Sequence, residues 1–94
     1  PPVQRDAVME AMWRETRKYY QSIEKKLPKE LKAVKFPGKK MQILGSHLNS
    51  KALKEREIQM ANFVDSCMSK DEVMRLPETH AFLTRDPVNV KYEV

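Results

Sequence analysis

Cysteine is all but missing from this sequence: Cys67 stands alone among 94 residues. One thiol closes no internal disulfide, and no Cys/His spacing fits a zinc site, so a reducing, cytoplasmic setting is the expectation. Long apolar runs are missing as well. No stretch approaches the roughly 18 apolar residues that read as a membrane span, and no basic-then-apolar leader opens the chain. Glycine occurs twice, at positions 38 and 45, too far apart for a phosphate-cradling fingerprint. Catalytic groupings are equally scarce. His47 and His80 have no serine, acid or cysteine set beside them by spacing, so surface or capping roles are expected of both. Cys67 falls on an apolar helical stripe and reads as a small buried hydrophobe rather than a nucleophile. No catalytic residue, metal or cofactor is expected, and a binding module is the better class. A start at Pro1-Pro2 without methionine points to a piece of a longer protein.

What the sequence does hold is positive charge, unevenly spread. Eighteen Lys and Arg against thirteen Asp and Glu leave a net charge of +5. Ten of those cations but only three acids (Glu15, Glu24, Glu30) lie between Arg14 and Lys40, a net of +7, so the remainder carries −2. Such asymmetry points to a polyanionic partner over this half alone, either a nucleic acid or the anionic face of a membrane. The plainer reading is a solvated, lysine-rich helix face.

Ninety-four residues make one small domain. Apolar positions 9, 12, 13, 19, 20, 23 and 27, with the Thr16 methyl, recur at helical spacing, so a helix is expected over 5–27, ending at Pro28. Its far face carries Arg14, Arg17, Lys18 and Lys25. A basic proline loop follows over 35–48, broken by Pro37-Gly38. Asn49 or Ser50 is placed to cap a helix over 50–68, with Leu53, Met60, Val64 and Cys67 as one stripe and Phe63 beside it. Ser69-Lys70-Asp71-Glu72 reads as a capping box opening a short helix over 70–76. Pro77 suits the first turn of another over 77–84, with Ala81, Phe82 and Leu83 returning apolar surface to the core. Val88, Val90, Tyr92 and Val94 then alternate with Asn89, Lys91 and Glu93, the period of a strand over 88–94 that needs a partner. The expected fold class is mainly α: three to four helices with a short C-terminal strand.

The loop "KKMQILG" sets Met41, Ile43 and Leu44 directly after Lys39 and Lys40. Lysines that meet lipid headgroups, followed by apolar side chains that enter the acyl boundary, are the parts of a membrane-docking loop. Each buried methylene contributes about 0.8 kcal/mol, and each interfacial lysine about 1 kcal/mol near an anionic leaflet. Folding of the same loop back onto the core stands level with that reading. Nucleic-acid binding would use the basic helix face and the aromatics Trp13, Tyr19 and Tyr20, although Trp13 and Tyr20 sit at core spacing. A protein partner, or a second copy, would pair with strand 88–94 or the apolar loop.

In order, a helix ending near "KLP", the loop "FPGKK" and then "ALKEREIQMANFVDSCMSKDEVMRLPETHAFL" resemble the helical half of a phox-homology (PX) domain, the phosphoinositide-binding module of sorting nexins. The resemblance covers roughly residues 13 to 84. It implies the helical subdomain of an α+β fold and recruitment to endosomal membranes. It also implies that Lys39 or Lys40 contacts the 1-phosphate of a phosphoinositide, that Arg56 bonds the inositol hydroxyls, and that Met41, Ile43 and Leu44 insert into the bilayer. The three-stranded sheet that opens the family has no counterpart in residues 1–12, and its Arg-Arg-Tyr motif is degenerate. One register sets Trp13 on the aromatic of that motif, which lies under the inositol ring, and Ala11-Met12 on its arginines. The other sets Arg17-Lys18-Tyr19 there. Trp13, Arg17 and Lys18 therefore join the candidate headgroup residues.

Overall fold

The computed structural model describes residues 2–34, 36, 37 and 50–85. These residues are mainly helical, with four α-helices among them: α1 Pro2–Ile23, α2 Ser50–Met68, α3 Asp71–Met74 and α4 Pro77–Thr84. No strand occurs among the described residues, and the strand expected over 88–94 lies outside them. Lys39, Lys40, Met41, Ile43 and Leu44 lie outside them too, as does all of the 35–48 loop except Phe36 and Pro37.

α1 starts and stops earlier than its apolar period indicates. Pro2 sits at its first position, where proline's missing N–H and fixed φ cost nothing. The α-helix ends at Ile23, and Glu24–Lys26 tighten into a 3₁₀ turn. Pro28 is the cause: it drives Leu27 out of the helical region, to φ −67° and ψ 137°, so the last turn winds down before it. A second 3₁₀ turn, Lys29–Leu31, follows Pro28 and turns Leu31 inward.

The link to α3 differs from the expected capping box. α3 begins at Asp71 with Lys70 as its cap residue and no side-chain cap bond. Ser69 instead donates its hydroxyl back to the Ser66 carbonyl at 2.7 Å, finishing α2. α4 has Pro77 in its first turn, as its chemistry favours. It does not bury its apolar run, however: Ala81 and Leu83 are exposed, Phe82 is half-buried, and Thr79 is the buried residue.

Rings dominate the core. Phe63 of α2 meets Tyr19, Tyr20 and Phe36 edge-on at 6.0, 5.4 and 5.4 Å, while Tyr20 stacks on Phe36 and Tyr19 on Phe82. Ile23, Leu27, Leu31, Cys67 and Val73 fill the space around them. α4 closes against α1 through the Tyr19 hydroxyl, 2.7 Å from the Thr79 hydroxyl, and against the following 3₁₀ turn through a Lys26–Glu78 ion pair at the surface.

The Tyr19–Thr79 bond carries an alkaline prediction. Burial pushes the Tyr19 phenol from 10.0 up to about 12, although the Thr79 bond pulls the other way. A raised acid pKa means the folded state keeps its proton more tightly than the unfolded chain. That stability is complete below pH 10.0 and is lost as pH rises through about 12. The size is about 3 kcal/mol. Far-ultraviolet dichroism and phenolate absorbance, followed together over this window, should change in concert at one phenol. Tyr19→Phe should remove that transition and cost about 1–2 kcal/mol at neutral pH by leaving Thr79 unpaired. A Tyr19 phenol that titrates at its ordinary value would sink this account.

Candidate functional site

Trp13 lies near the middle of α1, and it gathers the basic residues. Its ring is 3 % exposed, and its indole Nε1 donates to the Pro37 carbonyl at 3.1 Å. That bond fixes the root of the basic loop against α1, with Pro37 itself fully buried. The Arg56 guanidinium of α2 lies over the Trp13 ring with Cζ 4.0 Å from its centre. Arg17, one turn beyond Trp13 on α1, lies over the same ring at 5.3 Å. A cation on an indole face gains from the ring quadrupole, the more so where water is excluded.

Arg56 is 4 % exposed, which is costly for an ion unless its donors are matched. Its Nη1 donates to Glu10 Oε2 at 3.0 Å, and Glu10 Oε1 stands 4.0 Å from Arg14 Nε. Burial pulls the Arg56 pKa below its ordinary value, and the Glu10 carboxylate opposes that pull. Two buried nitrogens of Arg56, Nε and Nη2, have no hydrogen-bond partner among the described residues. They form one edge of the planar group, with two N–H bonds pointing the same way. That fork suits two oxygens of one ligand, either an oxoanion or a pair of neighbouring hydroxyls.

Trp13, Arg17 and Arg56 are thus brought together. Lys18 is not part of the grouping: it pairs with Glu15 at 3.3 Å and lines a shallow cleft between α1 and α4 with Ser22, Glu78 and Phe82. Lys25 lies in the 3₁₀ turn that follows α1 and, with Tyr20 and Lys32, lines a second open cleft. His80 is exposed, and Cys67 is buried with its thiol pKa pushed up by burial. Among the described residues no His, Cys, Asp and Glu side chains group as a metal site, and no helix is long and apolar enough to cross a membrane.

Glu10 went unread in the sequence, and so did the burial of Arg56. The second had a signal. Arg56, Met60, Phe63 and Cys67 follow one another at spacings of four, three and four, and all are buried, so the arginine continues the apolar stripe of α2. Glu10 had none beyond its i,i+4 relation to Arg14, because its partner lies 46 positions away. No protein-family model, curated protein or solved structure matches this chain.

Proposed function

We propose that this chain is a peripheral membrane-binding module of the PX type, which holds the headgroup of an inositol phospholipid and serves recruitment to endosomal membranes. One observation carries the reading: Arg56 is clamped on Trp13 with its Nε–Nη2 edge unpartnered, beside the Pro37 carbonyl that anchors the basic loop. The resemblance assigns headgroup contact to an arginine early in the helix after the proline loop and to the aromatic of the Arg-Arg-Tyr motif, which one register sets on Trp13. Their meeting across three separate stretches of chain supports the register that uses Trp13. The Tyr19 of the other register is a core residue bonded to Thr79. Lys39 and Lys40 follow Pro37 by two and three positions and supply the phosphate charge contacts. Met41, Ile43 and Leu44 provide the apolar wedge.

Co-sedimentation with vesicles tests this directly, using neutral phosphatidylcholine vesicles with and without phosphatidylinositol or its phosphorylated forms. Wild type should sediment with inositol lipids at near-physiological salt. Loss of two large apolar side chains in the Ile43→Ser, Leu44→Ser double variant should weaken that association by roughly tenfold or more. If the variant sediments like wild type and binding collapses with salt, charge alone holds the protein and the wedge is wrong. If neither protein sediments with any vesicle, the membrane reading falls.

A further inference from the structure

We propose that the outward face of α2 is a self-association surface, on which a second copy of this chain packs antiparallel about a two-fold axis. The inference goes beyond membrane binding and does not rest on it.

Spacing defines the face. One stripe of α2, Arg56, Met60, Phe63 and Cys67, is turned into the core. On the opposite side Lys54, Ile58, Ala61, Asp65 and Met68 follow at intervals of four, three, four and three, and all five are exposed. That interval is the seam along which two helices pack side by side. Ile58 and Met68, 49 % and 50 % exposed, are the two most exposed large apolar side chains among the described residues. A single exposed apolar side chain is ordinary. Two on one seam, with the small Ala61 between them, form a knob and a hole for a facing helix.

Charge selects the occupant. Positions 54 and 65, 58 and 61, and 51 and 68 are each symmetric about the point between residues 59 and 60. An antiparallel copy therefore sets Lys54 against Asp65 at both ends of the seam, Ile58 against Ala61, and Met68 against the aliphatic stem of Lys51. Neither Lys54 nor Asp65 has an ion-pair partner among the described residues. They cannot pair with each other, being about 16 Å apart along one helix. A parallel copy would instead set like charges face to face. α2 is also neutral as a whole, with Lys51, Lys54 and Arg56 balancing Glu55, Glu57 and Asp65, so two copies meet here without the repulsion that the basic stretch from Arg14 to Lys40 would bring. The contact is one helix wide and about 21 Å long from Lys54 to Met68, short of the roughly 1,200 Å² that stable interfaces bury. The dimer is accordingly weak and reversible.

Sedimentation equilibrium of the full 94-residue chain, from about 10 μM to about 1 mM, tests this. Wild type should climb from the monomer mass toward twice that mass. Lys54→Asp or Asp65→Lys alone sets like charges opposite each other at both ends of the seam and should weaken association on the order of tenfold or more. The double variant restores both pairs with their signs exchanged and should recover the wild-type curve. Each substitution moves charge in the direction the helix dipole favours, and both positions are exposed, so far-ultraviolet dichroism should show the helices intact. Ile58→Ser should also yield monomer, whereas Met12→Ser on α1 should leave the mass unchanged. A chain that stays monomeric throughout, single reversals without effect, or a double variant no better than the singles would each overturn the proposal. None of these results touches the headgroup reading, since no lipid enters the measurement.

Discussion

Arg56→Met should leave the protein folded and abolish headgroup binding. The two halves of that expectation come from the same accounting of donors. In the folded chain Arg56 gains a charged hydrogen bond to Glu10, roughly 1.5–3 kcal/mol, and a cation–π contact with Trp13, about 1–2 kcal/mol. Against these stand the desolvation of the guanidinium and two buried nitrogens with no acceptor among the described residues, each costing about 1–3 kcal/mol. The terms nearly cancel. Methionine fills similar space on the indole with no donor to satisfy, and Glu10, still 29 % exposed, can turn to water. Removing one partner of a buried pair is costly only where the other charge stays buried and unmatched, and Glu10 keeps Arg14 beside it. The urea midpoint should therefore move by no more than about 1 kcal/mol, in either direction. Binding to inositol-lipid vesicles should fall well beyond tenfold, because both charge-assisted bonds of the fork disappear. Arg56→Lys should fail almost as badly, since a point charge on a flexible stem cannot present two parallel N–H groups. An Arg56→Met protein that unfolds would make the residue a structural ion and remove the main support for the site. One that folds and binds normally would show that the headgroup sits elsewhere.

This is also where the sequence could be read and where it could not. Helices announce themselves through local spacing, so α1, α2 and the proline-initiated α4 were open to periodicity and turn chemistry. Their ends were set by neighbours: Pro28 acting on Leu27 shortened α1, and the Ser69 hydroxyl donates back to the Ser66 carbonyl of α2 while Lys70 takes the cap position of α3. Polar residues enter the core. Thr79 reads as surface, yet it is core because the buried Tyr19 hydroxyl needs a partner. Arg56 was expected as a headgroup contact, and it occupies the buried stripe of α2, where Trp13 and Glu10 accept it. The Thr79 bond joins positions 60 apart in the chain, which no local pattern carries, whereas the place of Arg56 on the α2 stripe was legible from spacing and only its Glu10 partner was not. The uneven charge between Arg14 and Lys40 was visible from composition. Which of those cations belong to a site was not, because Lys18 and Arg17 differ by one position and face different neighbours.

Phe63→Ala should be the most damaging single change in the core, and it should disable the site as well. Phe63 is 1 % exposed and is the ring that Tyr19, Tyr20 and Phe36 all meet edge-on. Truncating a buried phenylalanine costs about 3–5 kcal/mol through lost transfer energy and the cavity left behind. A domain of this length holds on the order of 5–14 kcal/mol in all. The variant should then populate unfolded chain at room temperature or lose most of its melting range, seen by far-ultraviolet dichroism and urea titration. Phe63→Leu, which keeps apolar volume, should cost about 1.5 kcal/mol or less. The functional consequence runs through the next residue along. Phe36 packs on Phe63 and immediately precedes Pro37, whose carbonyl holds the Trp13 indole. Loosening Phe36 releases that carbonyl, frees the indole, and takes away the surface against which Arg56 is clamped. Headgroup binding in Phe63→Leu should therefore weaken more than its small stability loss accounts for, whereas an equally destabilising change at Val73, a core residue distant from Trp13 in the chain, should leave the affinity of the folded fraction intact. Equal losses of affinity from both variants would show that binding follows overall stability, and that the ring cluster does not position the site.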